Sequence, residues 1–392
     1  MTGFLKDTIE GFLKERRERG LERSLSLSAH REGLWVETEG RRVRLFCSND
    51  YLGLSLHPAV KEAFIEGVER YGVGSGASRL VTGTQEAHLE LEERIKRFEK
   101  AEAALVFNSG WHANTSIIPA LADRTTELFA DRLVHASIID GAILSRATLR
   151  RYPHLDVDRL EGMLKRSRAK KRFILTDGVF SMDGDTPPLK EMLYLAERYD
   201  AHLILDDAHG AGIMGEDGRG THSFYGVEGS ERLIYIGTFG KAFGSCGAFV
   251  VGGRELVDYL VNAARGFIFS TALPPAVCHA TIRAVDIVEE DVERRRRLKE
   301  NAALLREGLK ALGFDTLGSH TQVIPLVVGD NRKVVTLSEG LFKRGFWVQP
   351  IRPPTVPEGT ARLRITVSSE HRREDIEELL KALEELKDEL KL

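Results

Sequence analysis

A chain of 392 residues is longer than one hydrophobic core usually supports, so a large and a small domain are expected. Lys and Arg total 56 against 59 Asp and Glu, a net charge of −3 with no long basic tract, which argues against a nucleic-acid partner. Three scattered cysteines (Cys47, Cys246, Cys278) offer neither a disulfide framework nor a zinc site, and no apolar run reaches the ~18 residues of a membrane span or forms a signal-peptide core, so a cytoplasmic protein without bound metal or membrane contact is expected.

At the N-terminus, residues 4–25 carry apolar positions at helical spacing among many charges, and residues 34–46 read as a hairpin turning at Glu39-Gly40. Residues 1–50 thus form an arm, expected to pack with the small domain. The glycine-rich run at 72–79 lacks the dinucleotide-binding spacing, which rules out a Rossmann dehydrogenase. From about Pro58 the chain alternates helix-like stretches with short apolar strands at 103–107, 127–130, 173–176, 202–205, 233–237 and 247–251. This alternation predicts an α/β domain over 51–283, a largely parallel sheet with ligands at the carboxyl ends of its strands. A charged helical run at 285–312 leads into a third region, 284–392. There 323–328, 346–349 and 362–367 read as strands and 337–344 and 374–390 as helices, which predicts a small α+β domain with an antiparallel sheet.

The strand ends of the large domain carry the candidate chemistry. Asn108-Ser-Gly-Trp-His-Ala-Asn114 follows the strand 103–107 and opens a helix, so Ser109, Gly110 and Trp111 can bring backbone N–H groups to a phosphate. An ordinary turn, with Trp111 in the core, is the plainer alternative. His135, past the strand 127–130, has the flat ring needed to stack on a pyridine, and Ser181, in the loop 177–184, can hydrogen-bond an oxygen on that ring. Asp206 and His209 follow the strand 202–205, with Asp207 expected to point away. Lys241, in Thr238-Phe-Gly-Lys-Ala-Phe-Gly244, sits in a small-residue loop after the strand 233–237. Ser270-Thr271 either adds hydroxyls to the same phosphate or caps a helix. A lysine that can bond to an aldehyde, opposite a carboxylate that can keep a pyridine nitrogen protonated, is what a pyridoxal 5′-phosphate (PLP) enzyme needs. In the small domain, Arg362 and Arg364 lie two apart on one strand and share a face; a guanidinium there can clamp a carboxylate, or both are solvated.

With these residues in place, the chain resembles the α-oxoamine synthases, PLP enzymes of fold type I, with unbroken spacing from residue 46 to 371. The resemblance implies a large domain with a mostly parallel seven-stranded sheet, a small α+β C-terminal domain, and a homodimer with active sites at the subunit interface. It implies decarboxylative condensation of an amino acid with an acyl thioester. Lys241 would anchor the cofactor, Asp206 pair with its pyridinium, His209 and Ser181 contact its phenolic oxygen and His135 stack on its ring, with Thr238 a further cofactor contact and Asn49 a substrate contact. The runs 48–55, 78–83, 269–275 and 351–357 are similar to the branch that joins L-alanine to a pimeloyl thioester, on CoA or a carrier protein, in biotin synthesis. In that branch Arg364 would hold the amino-acid carboxylate, and Arg352, aided by Arg23, the far carboxylate of the acyl chain. The stretches 176–184 and 83–88 look more like the branch that uses glycine and acetyl-CoA. A PLP-fold protein that binds without catalysis is the remaining alternative, opposed by the intact Lys241, Asp206 and Arg364.

Overall fold

The computed structural model describes residues 2–23 and 25–391. The chain divides into two compact units: residues 49–181 with 185–297, and the residues up to 48 with 182–184 and those from 298 onward. The dividing point lies inside the helix Val292–Ala311. It is later than the expected boundary at 284 because the preceding helix, Pro275–Glu290, packs on Pro58–Tyr71 within the large unit. The two helices approach so closely that a Cβ on Gly67 would stand 2.8 Å from the Ala276 Cα. The helical run expected over 285–312 is therefore two helices, broken at Asp291.

The arm begins with the helix Phe4–Glu18, which buries no side chain, and continues into strands β1 (His30–Glu32), β2 (Trp35–Thr38) and β3 (Arg41–Leu45). Glu39 and Gly40, both with positive φ (48° and 71°), form the tight turn between β2 and β3; a two-residue turn of this hand matches the twist of the strands it joins.

The large unit is built on β4 (Ala103–Phe107), β5 (Thr126–Asp131), β6 (Thr148–Tyr152), β7 (Lys171–Asp177), β8 (His202–Asp206), β9 (Leu233–Thr238) and β10 (Ala248–Gly252). They form one sheet in the order β4-β10-β9-β8-β7-β5-β6, with only β10 antiparallel to its neighbours. β4 and β9 are buried along their whole length, which is why they read as continuous apolar runs rather than alternating ones. β6 has no such signal. It is an edge strand whose Thr-Leu-Arg-Arg-Tyr sequence buries only Tyr152, and it was not among the six strands expected. Leu128, Leu175, Ile204 and Ile236 of the sheet pack with Ile117, Ile118 and Ile138 from the helices Gly110–Leu121 and Ala136–Ser145. Each such buried aliphatic side chain stabilises the unit by about 1.5–3 kcal/mol before conformational entropy is counted.

In the small unit, β11 (Val323–Gly329), β12 (Phe346–Trp347), β13 (Gln349–Ile351) and β14 (Ala361–Thr366) alternate with the helices Asn331–Lys343 and Arg373–Leu390. The strand expected over 346–349 is two strands in two sheets. Phe346 and Trp347 pair in parallel with β3 of the arm, whereas Gln349–Ile351 pairs antiparallel with β14, in a sheet ordered β11-β14-β13. The first helix starts at Asn331, six residues before the expected 337, because Asp330 accepts hydrogen bonds from the Arg332 and Lys333 N–H groups and caps it.

Candidate active site

Every strand of the large sheet except β10 runs the same way, so the loops after β4, β5, β7, β8 and β9 gather at one edge. They enclose a cavity of ≈ 170 Å³ lined by Gly110, Trp111, His135, Asp177, Ser181, Asp206, His209, Thr238 and Lys241. Residues drawn from five separate loops thus converge where a doubly wound sheet holds its ligand.

Asp206 is the last residue of β8. Its Oδ2 accepts from the Asn114 amide at 2.5 Å and its Oδ1 from the Ala208 N–H at 3.1 Å. The Asn114 amide also donates to Ser137 Oγ, which lies 2.7 Å from His135 Nδ1. One polar network therefore sets both the carboxylate and the ring beside it. His135 caps the helix Ala136–Ser145, and burial lowers its pKa, which favours a neutral imidazole. Asp177, at the same level of β7 as Asp206 on β8, is driven well above the usual carboxylate range by burial and then by the charge of Asp206. Its Oδ1 accepts from the His135 backbone N–H.

Lys241 Nζ lies 2.7 Å from His209 Nε2, and His209 Nδ1 lies 2.6 Å from the hydroxyl of the fully buried Tyr51. Tyr51 donates to Asn49 Oδ1 at 3.0 Å. A hydroxyl has one proton, so Tyr51 accepts from His209 Nδ1–H, and Nε2 is left to accept from the lysine. Asp207 does point away from the cavity. It is buried against Thr221 and Tyr235, tight to Gly178 and Gly210, where a Cβ would come within 2.1 Å of its Oδ1.

Trp111 is half exposed and lines the cavity, edge-on to His135, so it is not a core aromatic. Ser109 is the N-cap of the helix Gly110–Leu121, its Oγ accepting from the His112 N–H, and the first two residues of that helix, Gly110 and Trp111, line the cavity. Thr238 Oγ1 donates to the Gly247 carbonyl and accepts from the Gly240 N–H. Ser270 and Thr271 are not brought to this cavity: Thr271 pairs with Ser78, and the Asn108 amide holds the Ser270 hydroxyl and the Thr271 carbonyl.

In the small unit, Arg362 and Arg364 are both buried, so neither is the solvated surface residue allowed for above. Arg362 is committed to Asp183 at 2.7 Å, and Arg364 is the neighbour that draws down a Cys47 thiol which burial pushes up to about 12. Arg352 donates to the Gly20 carbonyl and Arg23 reaches Thr355 Oγ1 at 3.5 Å, so the arm and the 352–357 loop present their arginines together. Sequence reasoning missed Asn114, Tyr51 and Asp177 as site residues. Asn114 had a usable signal, since it lies one helical turn beyond Gly110 on the same face.

The donor set fits PLP: a primary amine for the aldehyde, a donor-supplied carboxylate for the ring nitrogen, a neutral imidazole and an indole beside the ring, and a helix N-terminus for the phosphate. Residues 41–383 match the family model described as aminotransferase class I and II. The chain belongs to this family. Within the class I and II aminotransferases, it is 52% identical to an 8-amino-7-oxononanoate synthase of Geobacter sulfurreducens, covering 98% of both chains, and 50% identical to one of Methylococcus capsulatus over 86% of this chain and 87% of that one. A serine palmitoyltransferase solved with PLP superposes with a TM-score of 0.94 at 29% identity, covering 100% of both chains. An 8-amino-7-oxononanoate synthase of Francisella tularensis gives 0.78 at 30% identity, over 89% of this chain and 99% of that one. Fold type I, with its seven-stranded sheet and PLP cofactor, is thus established, and the chain is a PLP-dependent acyltransferase. Among the described residues, no helix is long and apolar enough to cross a membrane.

Proposed function

We propose that this enzyme condenses L-alanine with a pimeloyl thioester, carried on CoA or a carrier protein, with loss of carbon dioxide, to give 8-amino-7-oxononanoate for biotin synthesis. The observation that carries the reading is the likeness to synthases of that name over 98% of both chains. Bound PLP supplies an electron sink for the carbanion that forms at the amino-acid α-carbon.

The chain's own groups do the rest. Lys241 Nζ, positioned by His209 Nε2 at 2.7 Å, would hold the cofactor through its aldehyde and is the amine placed to take the α-proton. Asp206, steadied by Asn114 and the Ala208 N–H, would keep the ring nitrogen protonated. His135 would lie against the ring, Ser181 and His209 would serve its phenolic oxygen, and the helix start at Gly110 and Trp111, with Ser109 and Thr238, would receive the phosphate. Arg364 clamps the amino-acid carboxylate, with Asn49 as a further contact, and Arg352 with Arg23 meets the far carboxylate of the acyl chain. Arg352 lines a ≈ 580 Å³ cleft of the small unit with Arg17, Arg19 and Arg332 but also with Glu18, Glu339 and Glu358, so the support for an anionic end group there comes from Arg352 and Arg23 and not from the net charge of the cleft. The enzyme works as a cytoplasmic homodimer with its active sites at the subunit interface; Phe64, Ile65, Leu80, Val81 and Phe269, all exposed on the large unit, support such an apolar interface.

The test is product identification by mass spectrometry with alanine and glycine offered against pimeloyl- and acetyl-CoA, for the enzyme and for Arg352→Ala. Alanine with pimeloyl-CoA should give the dominant product, and Arg352→Ala should lower kcat/KM for pimeloyl-CoA by about tenfold or more while sparing a monocarboxylic acyl-CoA of similar length. A dominant glycine and acetyl-CoA product would overturn the reading in favour of the glycine-using branch.

A further inference from the structure

Beside the cofactor cavity, in the same unit, His154 stands between two carboxylates. Its Nδ1 lies 3.0 and 3.1 Å from the two oxygens of Asp131, the last residue of β5, and its Nε2 lies 2.9 Å from Asp185 Oδ2. A neutral imidazole has one N–H; with a carboxylate on each nitrogen, both must donate, so the ring is held as a cation. Burial alone would lower its pKa, but Asp131 and Asp185 raise it to about 10.

The surroundings are built around this ring. Asp131 is itself buried and accepts from the Leu133 and Leu155 N–H groups. Leu155 holds φ at 58°, a left-handed conformation that a leucine adopts only when its neighbours impose it. On the other side, the rings of His154 and Phe180 meet edge to face, with centroids 4.4 Å apart at 87°, and the Phe180 N–H donates to the Asp185 carbonyl, closing the loop onto its own end. That loop carries Ser181 into the cofactor cavity.

We propose that His154 is a positioning residue: as a cation pinned between Asp131 and Asp185, it ties the loop after β7 to the end of β5 and so sets Ser181 against the cofactor. The inference rests on Ser181 serving the cofactor, as read above. It goes beyond that reading in assigning the rigidity of the loop to a residue outside the cavity.

Hydrogen exchange on the cofactor-free protein tests the clamp without reference to activity. In His154→Gln, which cannot be charged, amides of the 178–181 segment should exchange at least ~10-fold faster while the β8 and β9 amides keep their wild-type rates. Asp185→Asn, which leaves one end of the clamp, should show the same local effect to a smaller degree and covers the case in which His154→Gln does not fold. A double-mutant cycle on kcat/KM then asks whether His154 acts through Ser181. His154→Gln should cost about tenfold in the presence of Ser181 and under about threefold in the Ser181→Ala background. Unchanged loop exchange in Asp185→Asn and His154→Gln, uniformly accelerated exchange throughout the unit, or equal losses in both backgrounds would each overturn the proposal. Ser181→Ala alone, compared with wild type, reports separately on the role of Ser181, so failure of that assignment is distinguishable from failure of the clamp.

Discussion

The two ends of the large sheet bury the same kinds of residue and treat them differently. At the carboxyl end, each acid meets donors: Asp206 has Asn114 and the Ala208 N–H, and Asp131 has two backbone N–H groups and His154. At the amino end, in a cleft lined by the starts of β7, β8 and β9, Glu99 is buried with no backbone donor on either oxygen among the described residues, and His222 Nε2 lies 3.3 Å from its Oε2. Burial pushes Glu99 up to about 7, whereas His154 is held charged to about 10. The difference is one of backbone supply. At the carboxyl end the loops and helix starts that follow the strands supply backbone N–H donors, although Asp177, which accepts from the His135 N–H, is still driven well above the usual carboxylate range by burial and by the charge of Asp206.

Removing the amine at the donor-rich end should have the largest effect. Lys241→Ala is expected to lose at least about a thousandfold in product formation, with a thermal midpoint close to wild type, because Lys241 contributes chemistry rather than packing. Borohydride reduction followed by peptide mass spectrometry should find no cofactor adduct on another lysine; an adduct elsewhere would remove Lys241 as the anchor.

A smaller loss is expected at the carboxylate itself. Asp206→Asn keeps the shape and the Asn114 contact but cannot hold a ring nitrogen protonated, and kcat should fall on the order of a hundredfold while cofactor absorbance is retained. Activity within a few-fold of wild type would show that the donor-supplied acid does not tune the cofactor.

The smallest effect on activity, and a specific one on stability, is expected at the donor-poor end. Glu99 rises from 4.5 to about 7 on folding, so the folded state holds an extra proton between those values and stability declines as pH rises through that window. Glu99→Gln should leave activity within about twofold and flatten the decline, by about 3 kcal/mol at most from the width of the window. Denaturant melts between pH 4.5 and pH 8 check this, and an unchanged slope would place the titrating group elsewhere. For His154 the sign is the same and the cause opposite, since its charged form is the one held: its stabilisation is full below the ordinary histidine range and lost as pH rises through about 10, with Asp131, Asp185 and the nearby Tyr152 facing the same pocket.

The sequence by itself determined the α/β alternation, and with it Lys241, Asp206, His209 and His135, because each follows an apolar strand closely enough that the strand fixes its place. A local pattern sufficed there. It did not suffice for β6, whose polar edge sequence takes its place from its pairing with β5, or for residues 346–349, which two different sheets divide between them. Tertiary structure alone decided that Asn114 reaches Asp206, that Tyr51 sets the proton on His209, and that Asp131, His154 and Asp185 meet. Hydrogen bonds between residues far apart in the chain leave no periodicity behind, because the geometry that makes them exists only after the sheet and its loops have closed.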